Sequence, residues 1–510
     1  MTYETVIGLE IHTELSTKTK AFCACEYKFG GEVNTQCCPG CAGMPGALPV
    51  LNKRVVDYAM KMGLACGCKI NKTSAFDRKN YFYPDLPGGY QVTQNFTPIC
   101  EGGGVEFFHA GEKRTARLTR IHIEEDTAKL LHGDAFDGTL IDFNRAGVPL
   151  IEIVTEPDFR SGEEVKDFLE SLRTLLLTLD ICNCKMQEGA IRCDINVSVR
   201  PAGQAEYGTR VEMKNVNTFS GAILAIEYEA SRQIEIINGG GQIFQETRRW
   251  DEQREESVLM RSKENAADYR YFPEANLVQL VVSDDWIAEI SAEMPELPIP
   301  KLERYKSLGV PAAESHMLIE QVSKARFFEA AVAAGANPKN AAVWTMGHIT
   351  ARLNKVGMAI SDAPVTPADL AAVLEMIAAK KISIDSGKLV IDEVFDTRAR
   401  LAGNGHRGQE SEAAHSLEAG RAETADSAEV ADSIETVGEI VERLSLAQVS
   451  DEGEIKKLVA EILAANEKSV EDYKNGKKNA FAFLVGQCMK ASKGKANPQV
   501  VNELIREALG

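Results

Sequence analysis

The stretch VIGLEIHTEL (6–15) alternates apolar and polar positions. In an extended chain, Ile7, Leu9, Ile11 and Leu15 fall on one face, and Glu10, His12 and Glu14 on the other. This period of two predicts a strand with one buried face. AIRCDINVSVR (190–200) repeats the pattern, with Ile191, Cys193, Ile195, Val197 and Val199 opposite Arg192, Asp194, Asn196, Ser198 and Arg200. PAGQAEYG then supplies a turn, and TRVEMKN (209–215) sets Val211 and Met213 against Arg210, Glu212 and Lys214. The pair predicts a hairpin whose second face mixes carboxylates, guanidinium and ammonium. LTRIHIEEDTAKL (118–130) alternates into Glu124, Glu125 and Asp126. GVPLIEIVTEPD (147–158) is an apolar strand interrupted by Glu152, a carboxylate that needs a partner or a task if buried.

The texture changes along the chain. Residues 1–292, rich in alternating segments and Gly/Pro turns, predict a sheet-rich domain of catalytic size. EMPELPIPKLERYKSLGVP (293–311) carries four prolines and marks a boundary. HMLIEQVSKARFFEAAVAAG and PADLAAVLEMIAAKK then place apolar residues three and four apart, predicting a helical domain to 403. Residues 404–442 are acidic and poor in aliphatics, which predicts a linker or insertion. A small helical tail over 443–510 follows, and its stretch 474–498 holds six lysines and no acid.

Composition narrows the class. A chain of 510 residues exceeds one core. The start lacks a basic and apolar leader, and no apolar run approaches the roughly 20 residues of a membrane span, so a cytoplasmic protein with reduced thiols is expected. A net charge of −18 argues against a non-specific nucleic-acid coat but allows a local basic patch. Cys23-x-Cys25 precedes Cys38-x2-Cys41, spacing that fits a closed, structural tetrathiolate Zn²⁺ site; a redox CxxC is the rival, without a βαβ context to support it. Cys37 is spare, and Cys66/Cys68 and Cys182/Cys184, pairs that a second metal site would use, lack an evident partner pair and read as buried free thiols ahead of that alternative.

The polar strand faces have two readings. One is a solvated edge. The other is a centre for Mg²⁺ and a triphosphate, with carboxylates for the ion and Arg or Lys for phosphate oxygens. No Gly-rich phosphate loop is present, so a nucleotide would lie on an open sheet.

Together VIGLEIHTEL, CxC…CPxC, PGALPVLN, DRKNYFYPDLPGGYQVTQ, IHIEEDTAK, DFNRAGVPLIEIVTEPD, MQEGAIRCDINVSVR, RVEMKNVN, ETRRWDE, SKENAADYRYFPE and FLVGQCMKASKGKANP resemble the B subunit of the tRNA-dependent amidotransferases, GatCAB, in order and over nearly the whole chain. The resemblance implies an α+β fold: an antiparallel-sheet cradle of the glutamine synthetase and guanidino kinase type, a helical domain, and an all-α tail that binds tRNA. It implies a ligase component that uses ATP and Mg²⁺ to phosphorylate the side-chain carboxylate of Glu-tRNA(Gln) or Asp-tRNA(Asn). Ammonia would come from an amidase partner, GatA, and a small third partner, GatC, would tie the heterotrimer together. A non-catalytic tRNA-binding scaffold and a metal-dependent nuclease are the alternatives. By the resemblance Glu10, His12 and Glu125 are metal ligands, with Glu124 beside them in catalysis. Glu152, Asp194, Arg210 and Glu212 serve ATP or substrate, and Lys79 and Lys214 are assigned there on charge. Lys477, Lys478, Lys490 and Lys493 face tRNA. Gly88 and Ala275-Asn276 depart from the family pattern, and the 404–442 stretch is longer than the family's link.

Overall fold

The structure is a computed structural model that describes residues 2–132, 138–262, 268–409, 435–446, 452–474, 477, 479–492, 496 and 498–509. The chain divides into two compact units, Met1–Lys301 and Leu302–Gly510.

The first unit begins with β1 (Tyr3–Glu14) and α1 (Lys53–Ala65). Short strands follow: β2 (Lys69–Ile70), β3 (Thr73–Ser74), β4 (Asp77–Asn80), β5 (Tyr90–Thr93) and β6 (Cys100–Glu101). Next come β7 (Gly104–His109), β8 (Glu112–Glu125), β9 (Lys129–His132), β10 (Thr139–Asp142), β11 (Pro149–Thr155) and α2 (Gly162–Thr178). β12 (Ile191–Pro201), β13 (Val211–Val216), α3 (Phe219–Asn238), β14 (Glu246–Asp251), β15 (Glu256–Ser262), β16 (Phe272–Pro273), β17 (Leu280–Val281) and α4 (Asp284–Ala292) complete it.

Ten strands form the main sheet, ordered β15-β14-β13-β12-β1-β11-β8-β6-β2, with β7 on the outer half of β8. The expected hairpin is present: β12 and β13 pair antiparallel, with Asn196 opposite Glu212. The sheet is mixed rather than antiparallel throughout, because β13 and β14 run parallel. Parallel neighbours need a crossover, and the 20-residue α3 provides it. Its start is fixed by Thr218, whose hydroxyl accepts from the Gly221 N–H at 2.9 Å.

The apolar face of the sheet is the core. Ile7, Leu9, Ile11, Ile121, Ile123, Ile151, Ile153, Ile195 and Val197 are buried there, and α1, α2 and α3 pack over this unit's strands. Phe159 and Phe168 meet with ring centroids 4.8 Å apart, beside Phe107. The sheet therefore spends one face on folding and leaves the other for polar groups.

The proline-rich stretch is not a bare boundary. It folds as a helix, Pro298–Ser307, because prolines are tolerated in a first turn whose N–H groups have no intrahelical acceptor. The second unit is helical. Helices at Ala312–Glu320, Val322–Ala333, Pro338–Trp344, Thr350–Val356, Pro367–Ala378 and Ile384–Gln409 come first, with a π turn at Thr345–Ile349. A helix at Val437–Arg443 and four more over Glu452–Ala465, Glu467–Lys474, Asn479–Ala491 and Pro498–Leu509 follow. The last group buries Ile455, Val459, Leu484, Val501 and Ile505 in its own cluster. The expected linker 404–442 is entered by helix from both ends, at Gln409 and Val437, and its centre, 410–434, lies outside the described residues. No helix among the described residues is long and apolar enough to cross a membrane.

Candidate functional site

Register places the polar side chains in a row across the sheet. His12 lies opposite Glu152 on one side and Arg192 on the other, and Glu10 lies opposite Asp194. Glu152 in turn faces His122 on β8. Because neighbours on a strand point to opposite faces, Glu124 shares the His122 face and Glu125 does not.

The centre of the row is a carboxylate–imidazole cluster. His12 Nε2 lies 3.3 Å from Glu124 Oε1 and 3.5 Å from Glu152 Oε2. His122 Nε2 lies 3.2 Å from Glu152 and 3.7 Å from Glu124. One donor atom each from His12, Glu124 and Glu152 falls within 4.8 Å of the others. Burial pushes Glu124 up, but His12 and His122 outweigh it and hold the carboxyl well below its ordinary value. Burial disfavours the His12 cation, yet Glu124 and Glu152 push the imidazole up to about 10. In this state the two imidazoles balance the two carboxylates, and the spacing of one imidazole nitrogen and two carboxylate oxygens is a donor set that can hold a divalent cation in place of the imidazole proton.

Glu10 flanks the cluster. Its carboxylate accepts from Asn196 Nδ2 at 3.0 Å, and burial together with Glu152 pushes it up. On the far side Lys214 pairs with Asp194 and, at 3.0 Å, with Glu212, which also accepts from the Thr247 hydroxyl at 2.8 Å. Arg192 donates to Asp126 at 2.8 Å. Lys79 on β4 faces the cluster; burial opposes its charge, but Glu124 wins and raises it. His12, Lys79, Tyr81, Glu124, Arg192 and Lys214 line a cavity of about 230 Å³.

Two sequence expectations sit elsewhere. Glu125 is not brought to His12. Its Oε1 accepts from the Val92 N–H at 3.0 Å, and its carboxyl lines a second cavity of about 290 Å³ with Cys23 and Cys41. Burial without an adjacent cation pushes Glu125 up to about 7. Arg210 is exposed and precedes β13, which starts at Val211. His122 escaped sequence reasoning, although Arg120, His122 and Glu124 alternate with Ile121 and Ile123 and carry the same period-two signal.

Cys23, Cys25, Cys38 and Cys41 converge, with sulfurs within 4.8 Å of one another. Cys38 N–H donates to Cys41 Sγ at 3.1 Å, and the fully buried Lys20 donates to the same sulfur at 3.5 Å. Cys23, with Cys38 and the Lys20 ammonium, holds the Cys41 thiol well below its ordinary value, while Cys41 and burial push Cys23 up and burial and Cys38 push Cys25 up. Gly147, at φ +80, closes the wall between them and Glu125: a Cβ there would sit 3.5 Å from Cys41 Cβ. Cys66, Cys68, Cys182 and Cys184 are buried free thiols.

In the helical tail, Lys477 pairs with Asp472 at 2.9 Å and Lys490 lies in the last turn of its helix. Lys478 and Lys493 lie outside the described residues.

Comparison with known proteins accounts for both units. Residues 5–288 match the GatB/GatE catalytic domain, and residues 326–403 and 427–509 match the GatB domain. Similar proteins include the B subunits of the aspartyl/glutamyl-tRNA(Asn/Gln) amidotransferases of Caldicellulosiruptor bescii, Thermoanaerobacter pseudethanolicus and Clostridium botulinum. The first is 48% identical, covering 100% of this chain and 99% of the relative. The second is 46% identical with 100% of each covered. The third is 45% identical with 99% of each covered. With both family models matched in order and near-half identity from end to end, the chain belongs to the GatB family, the B subunits of the aspartyl/glutamyl-tRNA(Asn/Gln) amidotransferases.

Proposed function

We infer that this chain is the component that activates the side-chain carboxylate of Glu-tRNA(Gln), Asp-tRNA(Asn) or both for amidation, in the cytoplasm. The observation that carries the reading is the His12–Glu124–Glu152 cluster, beside a cavity lined by Lys79, Arg192 and Lys214 together with Glu124, Asp126 and Asp194, in a chain of this family. The sheet with its polar face serves as the cradle, of the glutamine synthetase and guanidino kinase type.

In the reaction, an oxygen of the substrate carboxylate attacks the γ-phosphorus of ATP and ADP leaves. Ammonia from the amidase partner then attacks the acyl phosphate, forming the amide and releasing inorganic phosphate. Such transfers need positioning and charge neutralisation more than an acid or base. Glu124, Glu152 and His12, with Glu10 adjoining, would hold Mg²⁺, which supplies charge neutralisation on the phosphate oxygens when bound. Lys79, standing over the cluster, orients the substrate carboxylate. Lys214 and Arg192 hold the acidic groups Asp194, Glu212 and Asp126 in place and add positive potential for the polyphosphate. Glu125, on the other cavity, is assigned to the neighbouring wall rather than to the ion. The four cysteines hold structural Zn²⁺ and pin the loop that forms that wall, and the tail carries tRNA contact at Lys490 and neighbouring lysines. The small partner GatC ties this chain to the amidase GatA.

The test is the complex assembled from all three components, supplied with glutamine, ATP and each misacylated tRNA. ATP consumption that depends on misacylated tRNA, with amidated tRNA as product, is expected. ATP consumption indifferent to misacylated tRNA would leave a tRNA-binding scaffold instead. Metal analysis of the same complex should find about one zinc per copy of this chain. A folded, zinc-free chain would remove the clip.

A further inference from the structure

Two imidazoles meet the same two carboxylates, and they do so from different sides. His12 lines the cavity with Glu124, whereas His122 does not line it and is 2% exposed. His12 Nε2 approaches Glu124 at Oε1, 3.3 Å away. His122 Nε2 approaches the other oxygen, Oε2, at 3.7 Å, and that same oxygen accepts from the Thr93 hydroxyl at 3.4 Å. On Glu152 the two rings share Oε2, at 3.5 Å for His12 and 3.2 Å for His122.

Strand geometry puts His122 there. Register sets it opposite Glu152, and Glu124 follows two residues later on the same face. Ile121 and Ile123 on either side are buried in the core, which fixes the way the strand faces. The ring has one paired nitrogen. Nδ1 is buried with no hydrogen-bond partner among the described residues. Buried polar atoms in folded chains are almost always paired, so a ring whose one paired nitrogen faces two carboxylates of the cluster is held for them.

Resting on the function inferred above, we propose that His122 is a positioning residue for the divalent ion: from behind the cavity it ties back Glu124 and Glu152, so that their carboxylates stay converged on the His12 nitrogen. It is not itself a ligand, because the ring stands away from the cavity wall that His12 and Glu124 form. A nitrogen that ligates an ion no longer donates. Once His12 gives its Nε2 to the ion, His122 is the imidazole left to donate to both carboxylates. Without it, two buried like charges turn apart. A carboxylate that turns away costs the ion one donor, so the loss falls on ion affinity. Groups that orient the ligands of a metal act in this way without touching it.

The test uses the assembled three-component complex with Mn²⁺ in place of Mg²⁺ and no nucleotide, so that the ion is read directly rather than through turnover. His122→Phe keeps the bulk of the ring and removes its nitrogens, while His122→Gln keeps an N–H donor. Mn²⁺ binding, followed by electron paramagnetic resonance, should weaken about 10- to 100-fold in His122→Phe and stay within about threefold of wild type in His122→Gln. Spin-echo modulation of the bound Mn²⁺ should show one imidazole nitrogen, that of His12, in wild type and in His122→Gln alike. Two imidazole nitrogens in the wild type, one of them lost in His122→Gln, would make His122 a ligand and overturn the proposal. So would equal Mn²⁺ affinity in wild type and His122→Phe. If the Phe variant does not fold, His122→Asn takes its place: its amide is too short to reach both carboxylates, and wild-type affinity there overturns the proposal in the same way. A wild-type complex that binds no Mn²⁺ and consumes no ATP with misacylated tRNA sinks the inferred function itself. One that binds Mn²⁺ and amidates, with His122→Phe matching it, sinks only the role of His122.

Discussion

The polar face of the main sheet and the Asp369 site of the helical unit bury charge in different ways. On the polar face of the sheet, Glu10, Glu124, Glu152, Asp194 and Glu212 crowd together and share His12, His122 and Lys214, and burial with Glu152 pushes Glu10 up. In the helical unit, the buried Asp369 has a matched partner. Asp369 accepts from both terminal nitrogens of Arg398 at 2.5 and 2.9 Å and from the N–H and hydroxyl of Thr366, closing a capping box. Burial would push Asp369 up, but Arg398 and Thr366 hold it below its ordinary value. Converging like charges cost stability and are kept where chemistry needs them, whereas matched charges build the fold. Substitutions on the two units should therefore move activity and stability in opposite proportions.

The largest effect is expected at the centre of the cluster. Glu124→Gln keeps the shape but removes a carboxylate from between two imidazoles. Amidation by the assembled complex should fall on the order of 10²–10³-fold, the usual cost of losing one preorganised electrostatic group. Thermal unfolding should change far less than activity. Wild-type turnover by this variant would remove Glu124 from the chemistry and break the contrast at its strongest point.

The mirror experiment is Asp369→Asn. It leaves Arg398 without its charged partner in a mostly buried position. The expected loss is about 1.5–3 kcal/mol of stability, seen in denaturant unfolding. Turnover at a temperature where the complex is folded should be unchanged. Because the folded Asp369 is held below its unfolded value, its contribution is present above the ordinary aspartate range and is lost as pH falls through the depressed value. The gap between wild type and variant should accordingly close in acid. A gap that stays constant into that range would show that the ion pair is not what stabilises the helices.

The same contrast explains how much was legible in the sequence. Period-two alternation sorted Glu10, His12, Asp194, Glu212 and Lys214 onto one face, because side-chain direction in a strand is local information. It also carries His122 and separates Glu124 from Glu125, and the structure follows that rule: the Glu125 carboxyl meets Val92 N–H and the cysteine wall, away from His12. What alternation cannot carry is pairing between distant strands. The parallel β13–β14 contact depends on where α3 returns the chain. Tyr81 meets Tyr269 across 188 residues because β16 joins the edge of β4. The cysteine spacing already contained the four-cysteine cluster, since close pairs restrict a loop, but not Lys20, which folding alone brings to Cys41.

The smallest effect runs against intuition and tests the comparison most finely. Glu10 accepts one hydrogen bond from Asn196 and otherwise faces Glu152, Glu212 and Asp194. Glu10→Gln retains an oxygen for Asn196 and deletes the repelled charge. In metal-free buffer at neutral pH the variant should be more stable than wild type by about 0.5–2 kcal/mol, the gain usual when a strained functional charge is relaxed. The folded Glu10 is raised above its unfolded value, so its favourable contribution is complete below the ordinary glutamate range and is lost as pH rises through the raised value. The advantage of Gln should therefore be absent in acid, grow with pH, and level off. Adding Mg²⁺ should erase it, because the ion stabilises the carboxylate that the variant lacks. A variant less stable than wild type in metal-free buffer would mean that Glu10 is held by favourable partners, and the sheet face would then store no electrostatic cost at that position.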